Sequence, residues 1–181
     1  LTLFALDLNV MELTVMRRQP QQFDSDGINV QQFWTTSADG ERIPYFHVGK
    51  NSTPDTPTLV YAYGGFGIPE LPHYLGSVGK YWLEEGNAFV LANIRGGGEF
   101  GPRWHQAAQG ISKHKSVDDL LAVVRDLSER GMSSPNHIGL QGGSNGGLIT
   151  AAAFVREPQS IGALVCEVPL TDMIRYPLLS A

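Results

Sequence analysis

The stretch Gly142-Gly143-Ser144-Asn145-Gly146-Gly147 decides the fold of this chain, because it places a serine between two pairs of glycines. Residues 137–141 before it read as a short strand, and residues 148–156 after it read as a helix. A strand that turns sharply into a helix needs glycine beside the turn, where a Cβ atom would clash. The G-x-S-x-G pattern in this context exposes the serine hydroxyl and predicts that Ser144 is a nucleophile. An ordinary glycine-rich turn is the alternative interpretation.

Strands and helices alternate along most of the chain. Apolar runs predict short strands at residues 58–63, 88–94, 138–141 and 162–168. Helical spacing predicts helices at residues 74–85, 118–130 and 148–156. Ser116 and Asp119 have the spacing of a capping box at the start of the middle helix. Apolar strands that alternate with helices are typical of a parallel sheet covered on both faces. We therefore expect the α/β class, as an α/β-hydrolase with a mostly parallel, doubly wound sheet.

The first part of the chain has a different pattern, with extended runs and no helix. Asp39-Gly40 lies between two of these runs and is typical of a hairpin turn. Residues 1–25 are too few for a domain, so we expect a short β remnant and linker there, followed by the main domain at residues 26–181. The extended runs of this region are residues 1–8, 11–16, 28–36 and 42–48.

Composition narrows the classes of function. Hydrophobic residues make up 42% of the chain and charged residues 17%, which favours a globular domain over a disordered one. The formal net charge is −5 with no basic cluster, so we expect no nucleic-acid partner. No apolar run approaches the ~18–20 residues that span a membrane, so we expect no membrane partner. Because the chain begins at Leu1 rather than Met, cytoplasm and periplasm both stay open as compartments.

A serine nucleophile needs hydrogen-bond donors for the oxyanion that forms during acyl transfer. In the predicted fold one donor is the backbone N–H of the residue after the serine, here Asn145. The other comes from the loop after the third strand, which is Tyr63-Gly64-Gly65-Phe66-Gly67 in this chain. Its glycines allow close approach to a reacting carbonyl, and the Tyr63 phenol is a candidate donor. Phe66 either lines a substrate pocket or packs inward, and a plain β-turn stays open for the loop.

A second glycine-rich segment, Arg95-Gly96-Gly97-Gly98-Glu99, closes the strand at residues 88–94. Its spacing matches neither common phosphate-binding motif, so we do not expect a nucleotide site. Arg95 and Glu99 are expected to brace the rim of the site instead. His105 and His114 lack metal-ligand spacing, so no metal or other cofactor is implied. The single cysteine, Cys166, is predicted to be a buried strand residue.

The position of the histidines limits what this chain can do. In α/β-hydrolases the triad follows the order Ser, Asp or Glu, then His. All five histidines precede Ser144 here, and only residues 145–181 follow it. Asp172 stands where some hydrolases place the acid, although a structural or solvated role is favoured for it. We therefore expect either the front part of a longer enzyme or a protein that no longer catalyses.

Three blocks of sequence carry a family resemblance. They are Tyr61-Ala62-Tyr63-Gly64-Gly65-Phe66, Leu91-Ala92-Asn93-Ile94-Arg95-Gly96-Gly97-Gly98-Glu99-Phe100-Gly101 and Gly142-Gly143-Ser144-Asn145-Gly146-Gly147. Their order and separation resemble the catalytic domain of the prolyl oligopeptidases over residues 25 to 181. The related oligopeptidase B group usually has alanine after the nucleophilic serine, whereas Asn145 is similar to prolyl oligopeptidase.

The resemblance implies roles for individual residues. Ser144 would be the nucleophile, the Tyr63 hydroxyl and the Asn145 N–H the oxyanion donors, and Phe66 part of the proline-accepting pocket. Residues 1 to about 20 would end the propeller domain that precedes the catalytic domain in this family. The family's pocket tryptophan and its catalytic Asp and His would lie beyond Ala181, so the sheet would be incomplete at the C-terminus.

The sequence thus predicts the catalytic domain of a serine peptidase that cleaves short peptides after proline through an acyl-enzyme on Ser144. The 181-residue chain alone is expected to be nearly inactive, and the strand at residues 162–168 is expected to leave an open sheet edge that favours self-association. Two alternatives stay open. One is an esterase or acylaminoacyl-peptidase-like hydrolase, and the other is a non-catalytic binding protein that kept the pocket.

Overall fold

The computed structural model describes residues 2–178, which form one six-stranded sheet with helices on both faces and a separate two-stranded ribbon. Leu1, the first residue of the strand expected at residues 1–8, lies outside the described part. Residues 179–181, at the end of the main domain, also lie outside it. The strands are β1 Thr2–Asp7, β2 Glu12–Arg18, β3 Asn29–Thr36, β4 Arg42–Gly49, β5 Thr58–Ala62, β6 Ala88–Ala92, β7 Ile138–Gly143 and β8 Ala163–Glu167. The helices are α1 Gly76–Val78, which continues as a π-helical turn at Gly79–Leu83, α2 Pro102–Gln106, α3 His114–Glu129 and α4 Asn145–Arg156. Single 3₁₀ turns lie at Gly110–Lys113, Pro135–His137, Pro158–Ser160 and Tyr176–Leu178.

The sheet has the strand order β3-β4-β6-β5-β7-β8. The hairpin β3–β4 and the pair β4–β6 are antiparallel, and β6, β5, β7 and β8 are mutually parallel. The chain runs from β5 to one neighbour, β6, and then crosses to the other neighbour, β7. In open α/β sheets the crevice at such a reversal, outside the carboxyl ends of the strands, is where ligands bind. The loops that follow β5 and β7 therefore lie where this type of sheet binds ligands.

Two apolar clusters cover the two faces of the sheet. The larger one packs α3 and α4 against the strands, and its fully buried side chains include Val60, Leu120, Leu140 and Ile149. The smaller cluster lies on the other face and is built on Phe23, Leu83, Phe89 and Leu91. Deleting one such buried leucine typically costs about 2–5 kcal/mol of stability. Both faces are thus covered, which is why β6 is buried along its whole length.

The expected fold is confirmed, while some element boundaries differ. Helix α3 begins at His114, four residues earlier than expected, so the capping box at Ser116 and Asp119 is wrong. Ser116 lies inside the helix, where its Oγ donates to the Arg95 carbonyl at 2.7 Å. Helix α4 likewise begins immediately after Ser144 rather than at residue 148. The short helix α2 has no counterpart in the sequence-based expectation.

The ribbon β1–β2 pairs with no strand of the main sheet. Its two strands are antiparallel, and nearly every residue in them is exposed, including several large apolar side chains. These are Leu3, Phe4, Leu6, Leu13, Val15 and Met16. Among residues 2–178, no helix combines the length and the apolar character needed to cross a bilayer.

Candidate active site

Ser144 occupies a strained turn between β7 and α4. Its backbone has φ 54° and ψ −114°, a conformation that residues with a side chain rarely adopt and that is typical of functional sites. The turn is held from both sides, because Ser144 N donates to the Glu167 carbonyl at 2.9 Å and the Ser144 carbonyl accepts from Leu170 N at 3.2 Å. The expected strand–serine–helix elbow is therefore present.

The glycines beside Ser144 are required by close backbone packing. A Cβ atom on Gly142 would collide with the carbonyl of Gly146 in the first turn of α4. A Cβ atom on Gly146 would collide with the Ala62 carbonyl oxygen and would lie 3.2 Å from the Tyr63 Cα. The elbow thus rests directly against the end of β5. Only glycine lets the two chain segments approach this closely.

The loop after β5 is tied to the elbow by Asn145. The Asn145 Nδ2 donates to the Tyr63 carbonyl at 2.6 Å, and Asn145 is 5% exposed. The same side chain lies so close to Gly65 that a Cβ atom there would collide with it. As the first residue of α4, Asn145 has a backbone N–H without an acceptor inside the helix. An anion at this end of the helix is favoured by that free N–H and by the helix dipole.

Phe66 does not pack inward. It has φ 55°, its side chain is 62% exposed, and it lines a pocket of about 230 Å³. His105, Lys113 and Asn145 line the same pocket. A second, more apolar cavity of about 300 Å³ lies between Phe23 and Leu91 on the face of the sheet covered by the smaller apolar cluster.

A buried ion-pair network holds the loop that follows β6. The Arg95 side chain is 3% exposed and contacts Asp119 on α3 at 2.6 Å and Asp39 in the β3–β4 turn at 2.6 Å. The hydrogen bonds from Arg95 hold the pKa of Asp39 well below its usual range. Arg95 is thus a buried connector of three elements rather than a rim residue. One residue further on, the Gly96 carbonyl accepts from Gly67 N at 3.2 Å, which joins this loop to the one after β5.

The five histidines form hydrogen bonds with groups other than Ser144. His105 alone lines the pocket beside Asn145, and its Nδ1 contacts the Gly96 carbonyl at 2.8 Å while its Nε2 contacts Gln109 at 2.7 Å. His137 precedes β7, so the length of the strand, about 20 Å, separates it from Ser144. Across residues 2–178, no histidine is hydrogen-bonded to Ser144. Asp172 binds Arg175 instead of any histidine.

Lys113 was missed at the level of sequence, whereas Glu99 was expected at the rim of the site. Burial lowers the pKa of Lys113 to about 8, and its Nζ donates to the Gly64 carbonyl at 2.7 Å. Burial also raises the pKa of Glu99, whose Oε2 is buried without a hydrogen-bond partner. Lys113 has no sequence signal, because the Gly64 carbonyl that it binds lies 49 positions away. Within the described part of the chain, no three His, Cys, Asp or Glu side chains come together as a metal site.

Comparison with known proteins decides the family. Residues 75–180, more than half of the chain, match the prolyl oligopeptidase family. The chain belongs to the prolyl oligopeptidase family. This confirms the resemblance drawn from the three glycine-rich blocks, and with it the assignment to a family of peptidases of α/β-hydrolase fold.

Individual relatives of the prolyl oligopeptidase family match nearly all of this chain. It is 44% identical to an uncharacterized peptidase of Sinorhizobium fredii over 99% of the chain and 25% of that protein. It is 32% identical to a prolyl endopeptidase of Elizabethkingia meningoseptica over 97% of the chain and 25% of that protein. The structure of a post-proline cleaving enzyme from Rickettsia typhi superposes with a TM-score of 0.91 at 40% identity, covering 99% of this chain and 26% of that one. The chain therefore spans about a quarter of the length of the relatives it matches.

Proposed function

We propose that this chain carries the nucleophile and the oxyanion-binding loop of a serine peptidase that cleaves short peptides after proline. The observation that carries the proposal is the strained Ser144 elbow packed against the loop after β5. An elbow of this kind serves acyl transfer, because it presents a hydroxyl next to free backbone N–H groups. The prolyl endopeptidases among the relatives support the choice of proline.

The proposed reaction proceeds through an acyl-enzyme. Ser144 Oγ attacks the carbonyl carbon of the residue before the scissile bond, and a base takes the hydroxyl proton. The Asn145 N–H and the Tyr63 hydroxyl donate to the oxyanion that forms. The C–N bond then breaks, the leaving amine receives the proton, and water releases the peptide acid from the serine. Phe66 forms part of the pocket that accepts the proline ring, since an exposed aromatic face suits that apolar ring.

The base in this scheme is a histidine that the 181-residue chain does not provide after Ser144. His105 lines the pocket beside Asn145, but both of its ring nitrogens contact other groups. We propose that this polypeptide by itself is nearly inactive. Loss of a triad base lowers kcat by about 10⁶-fold, which leaves only the contributions of binding and of the oxyanion donors.

The domain boundary is part of the same proposal. Residues 1–25 hold the ribbon β1–β2, which forms its own sheet with exposed apolar side chains. We assign these residues to the end of a propeller domain and its linker. Residues 26–181 then belong to the catalytic domain, and the apolar ribbon would be covered by other propeller strands.

The test is turnover by the full-length product of the source gene. Two N-blocked dipeptide anilides, Gly-Pro and Gly-Ala, are compared as substrates for the unaltered protein and for Ser144→Ala. The exposed Ser77→Ala variant serves as the matched control. We expect hydrolysis of the Gly-Pro anilide at least tenfold faster than of the Gly-Ala anilide, with this activity retained in Ser77→Ala and lost in Ser144→Ala. A simple acyl ester is assayed beside the two anilides. Hydrolysis of the ester without cleavage of either anilide would support an esterase instead.

A further inference from the structure

Lys113 extends beneath the loop that is proposed to bind the oxyanion. It is the last residue of the 3₁₀ turn Gly110–Lys113, directly before α3, and it is half-buried. Its Nζ donates to the Gly64 carbonyl at 2.7 Å, a contact between residues 49 positions apart. Lys113 also lines the pocket that Phe66 and Asn145 line. The ammonium group therefore lies at the site without belonging to the elbow.

The loop has two successive carbonyls that are each held by a side-chain donor. The Tyr63 carbonyl accepts from Asn145 Nδ2 at 2.6 Å, and the Gly64 carbonyl accepts from Lys113 Nζ at 2.7 Å. Gly64 has φ 58°, a conformation open to glycine, and neither Gly64 nor Gly65 has a side chain that could fix the backbone. External donors must therefore set the orientation of these peptide groups, and Lys113 supplies one of them.

The positive charge of Lys113 is half-buried at the pocket. Across residues 2–178, no salt bridge within 4.0 Å involves Lys113, although Lys115 two residues later binds Asp39 at 3.2 Å. Burial without a counter-charge lowers the pKa of Lys113 to about 8, so most of the population is still protonated at neutral pH. A cation that is partly desolvated and not neutralised creates a positive field at the pocket. Negative charge that develops on a bound carbonyl would be stabilised by that field.

Building on the proposed function, we propose that Lys113 is a positioning residue for acyl transfer. Its ammonium fixes the Gly64 carbonyl, and thereby holds the Tyr63–Gly65 backbone against Asn145 in the orientation that binds the oxyanion. Lys113 does not contact the reacting atoms in this scheme. Its effect is expected on the chemical step rather than on binding, because the oxyanion exists only after Ser144 has attacked the substrate.

The kinetic test uses the full-length gene product and the N-blocked Gly-Pro anilide. Lys113→Met removes the donor at similar length, Lys113→Arg keeps the charge and the donor, and Lys115→Met is the matched control on the adjacent turn of α3. We expect Lys113→Met to lower kcat about 10- to 100-fold with KM within threefold, somewhat below the loss of a direct oxyanion donor. Lys113→Arg should have a kcat at least about threefold above that of Lys113→Met, and Lys115→Met should keep kcat within about twofold of the unaltered protein. A kcat for Lys113→Met equal to that of Lys115→Met would overturn the proposal.

A second measurement keeps this inference separate from the proposed function and does not depend on turnover. Selective ¹⁵N-glycine labelling reports the amide resonances of Gly64 and Gly65 in the same protein and variants. We expect both resonances to shift or broaden in Lys113→Met and to stay in place in Lys115→Met. If the protein cleaves no proline substrate but these resonances move, the proposed function fails while the positioning of the loop by Lys113 stands. Unmoved resonances would refute the role of Lys113 whether or not the enzyme is active.

Discussion

The side-chain amide of Asn145 donates a 2.6 Å hydrogen bond to the backbone carbonyl of Tyr63, across 82 positions of sequence. This bond joins the residue after Ser144 to the first residue of the loop after β5. Because the backbone of Gly146 also rests on the Ala62 carbonyl, the two loops behave as one unit. In the proposed acyl-transfer site both oxyanion donors must be fixed relative to the serine, and this contact connects the two residues that would carry them.

The packing of the elbow on β5 predicts unequal effects for two glycines of one motif. Gly146→Ala places a Cβ atom against the Ala62 carbonyl oxygen, whereas Gly143→Ala meets only Glu167 at 3.9 Å, an ordinary contact. Overpacking of this kind costs about 1–3 kcal/mol, so Gly146→Ala should lower the free energy of unfolding by that amount. Gly143→Ala should change it by less than about 0.5 kcal/mol. Urea unfolding of both variants measures the difference, and equal midpoints would show that the elbow does not press on β5.

The oxyanion role proposed for Tyr63 predicts a loss of rate without a loss of fold. Tyr63→Phe removes only the hydroxyl, and deletion of one oxyanion donor lowers kcat by about 10²–10³-fold. Tyr81→Phe is the control, because the Tyr81 side chain is 79% exposed on the π-helical turn. Steady-state kinetics on the Gly-Pro anilide should show the loss in kcat for Tyr63→Phe alone. A kcat for that variant within threefold of the unaltered protein would remove Tyr63 from the mechanism.

The buried network around Arg95 predicts a large stability effect at some distance from Ser144. Arg95→Met leaves the fully buried Asp119 carboxylate without its partner, which typically costs about 3–5 kcal/mol. Arg156→Met breaks an ion pair in which the arginine is 47% exposed, and such pairs contribute at most about 1 kcal/mol. Chemical denaturation under the same conditions measures the free energy of unfolding of both variants. A similar decrease in the free energy of unfolding of both variants would mean that the Arg95 network does not hold the β3–β4 turn, the β6 loop and α3 together.

The lowered pKa of Lys113 predicts the sign of a pH effect on stability. The folded pKa is about 8 and the ordinary value is 10.5, so between these values the unfolded chain binds more protons than the folded one. The free energy of unfolding contributed by this group therefore rises as the pH increases from 8 to 10.5. Lys113→Met lacks the titrating group, so the unaltered protein should gain stability relative to it over that window. A stability difference that is flat or falls with pH would contradict a buried, unpaired ammonium.

Sequence reasoning predicted the fold because the fold is specified by local patterns. The glycines around Ser144 and the Asp39-Gly40 turn each act within a few residues, and both lie where they were expected. The start of α3 was misplaced because Ser116 and Asp119 bind Arg95, 21 and 24 positions away, instead of capping their own helix. A capping pattern alone cannot reveal a distant partner that binds the same side chains.

The candidate site was only partly predictable for a related reason. Ser144, Asn145, Tyr63 and Phe66 lie in motifs whose spacing carries chemical meaning. Lys113 lies in no motif, and its contact with Gly64 exists only because the turn before α3 folds beneath the loop after β5. Phe66 likewise combines a φ of 55° with an exposed side chain, and composition encodes neither.

The central claim is that Ser144 forms an acyl-enzyme with peptides at proline. It is tested most directly by the rate of Gly-Pro anilide hydrolysis by the full-length gene product, measured beside Ser144→Ala. We expect turnover that prefers Gly-Pro over Gly-Ala by at least tenfold and that falls about 10⁶-fold in Ser144→Ala. Proline-specific turnover that survives the loss of the Ser144 hydroxyl would show that Ser144 does not form the acyl-enzyme.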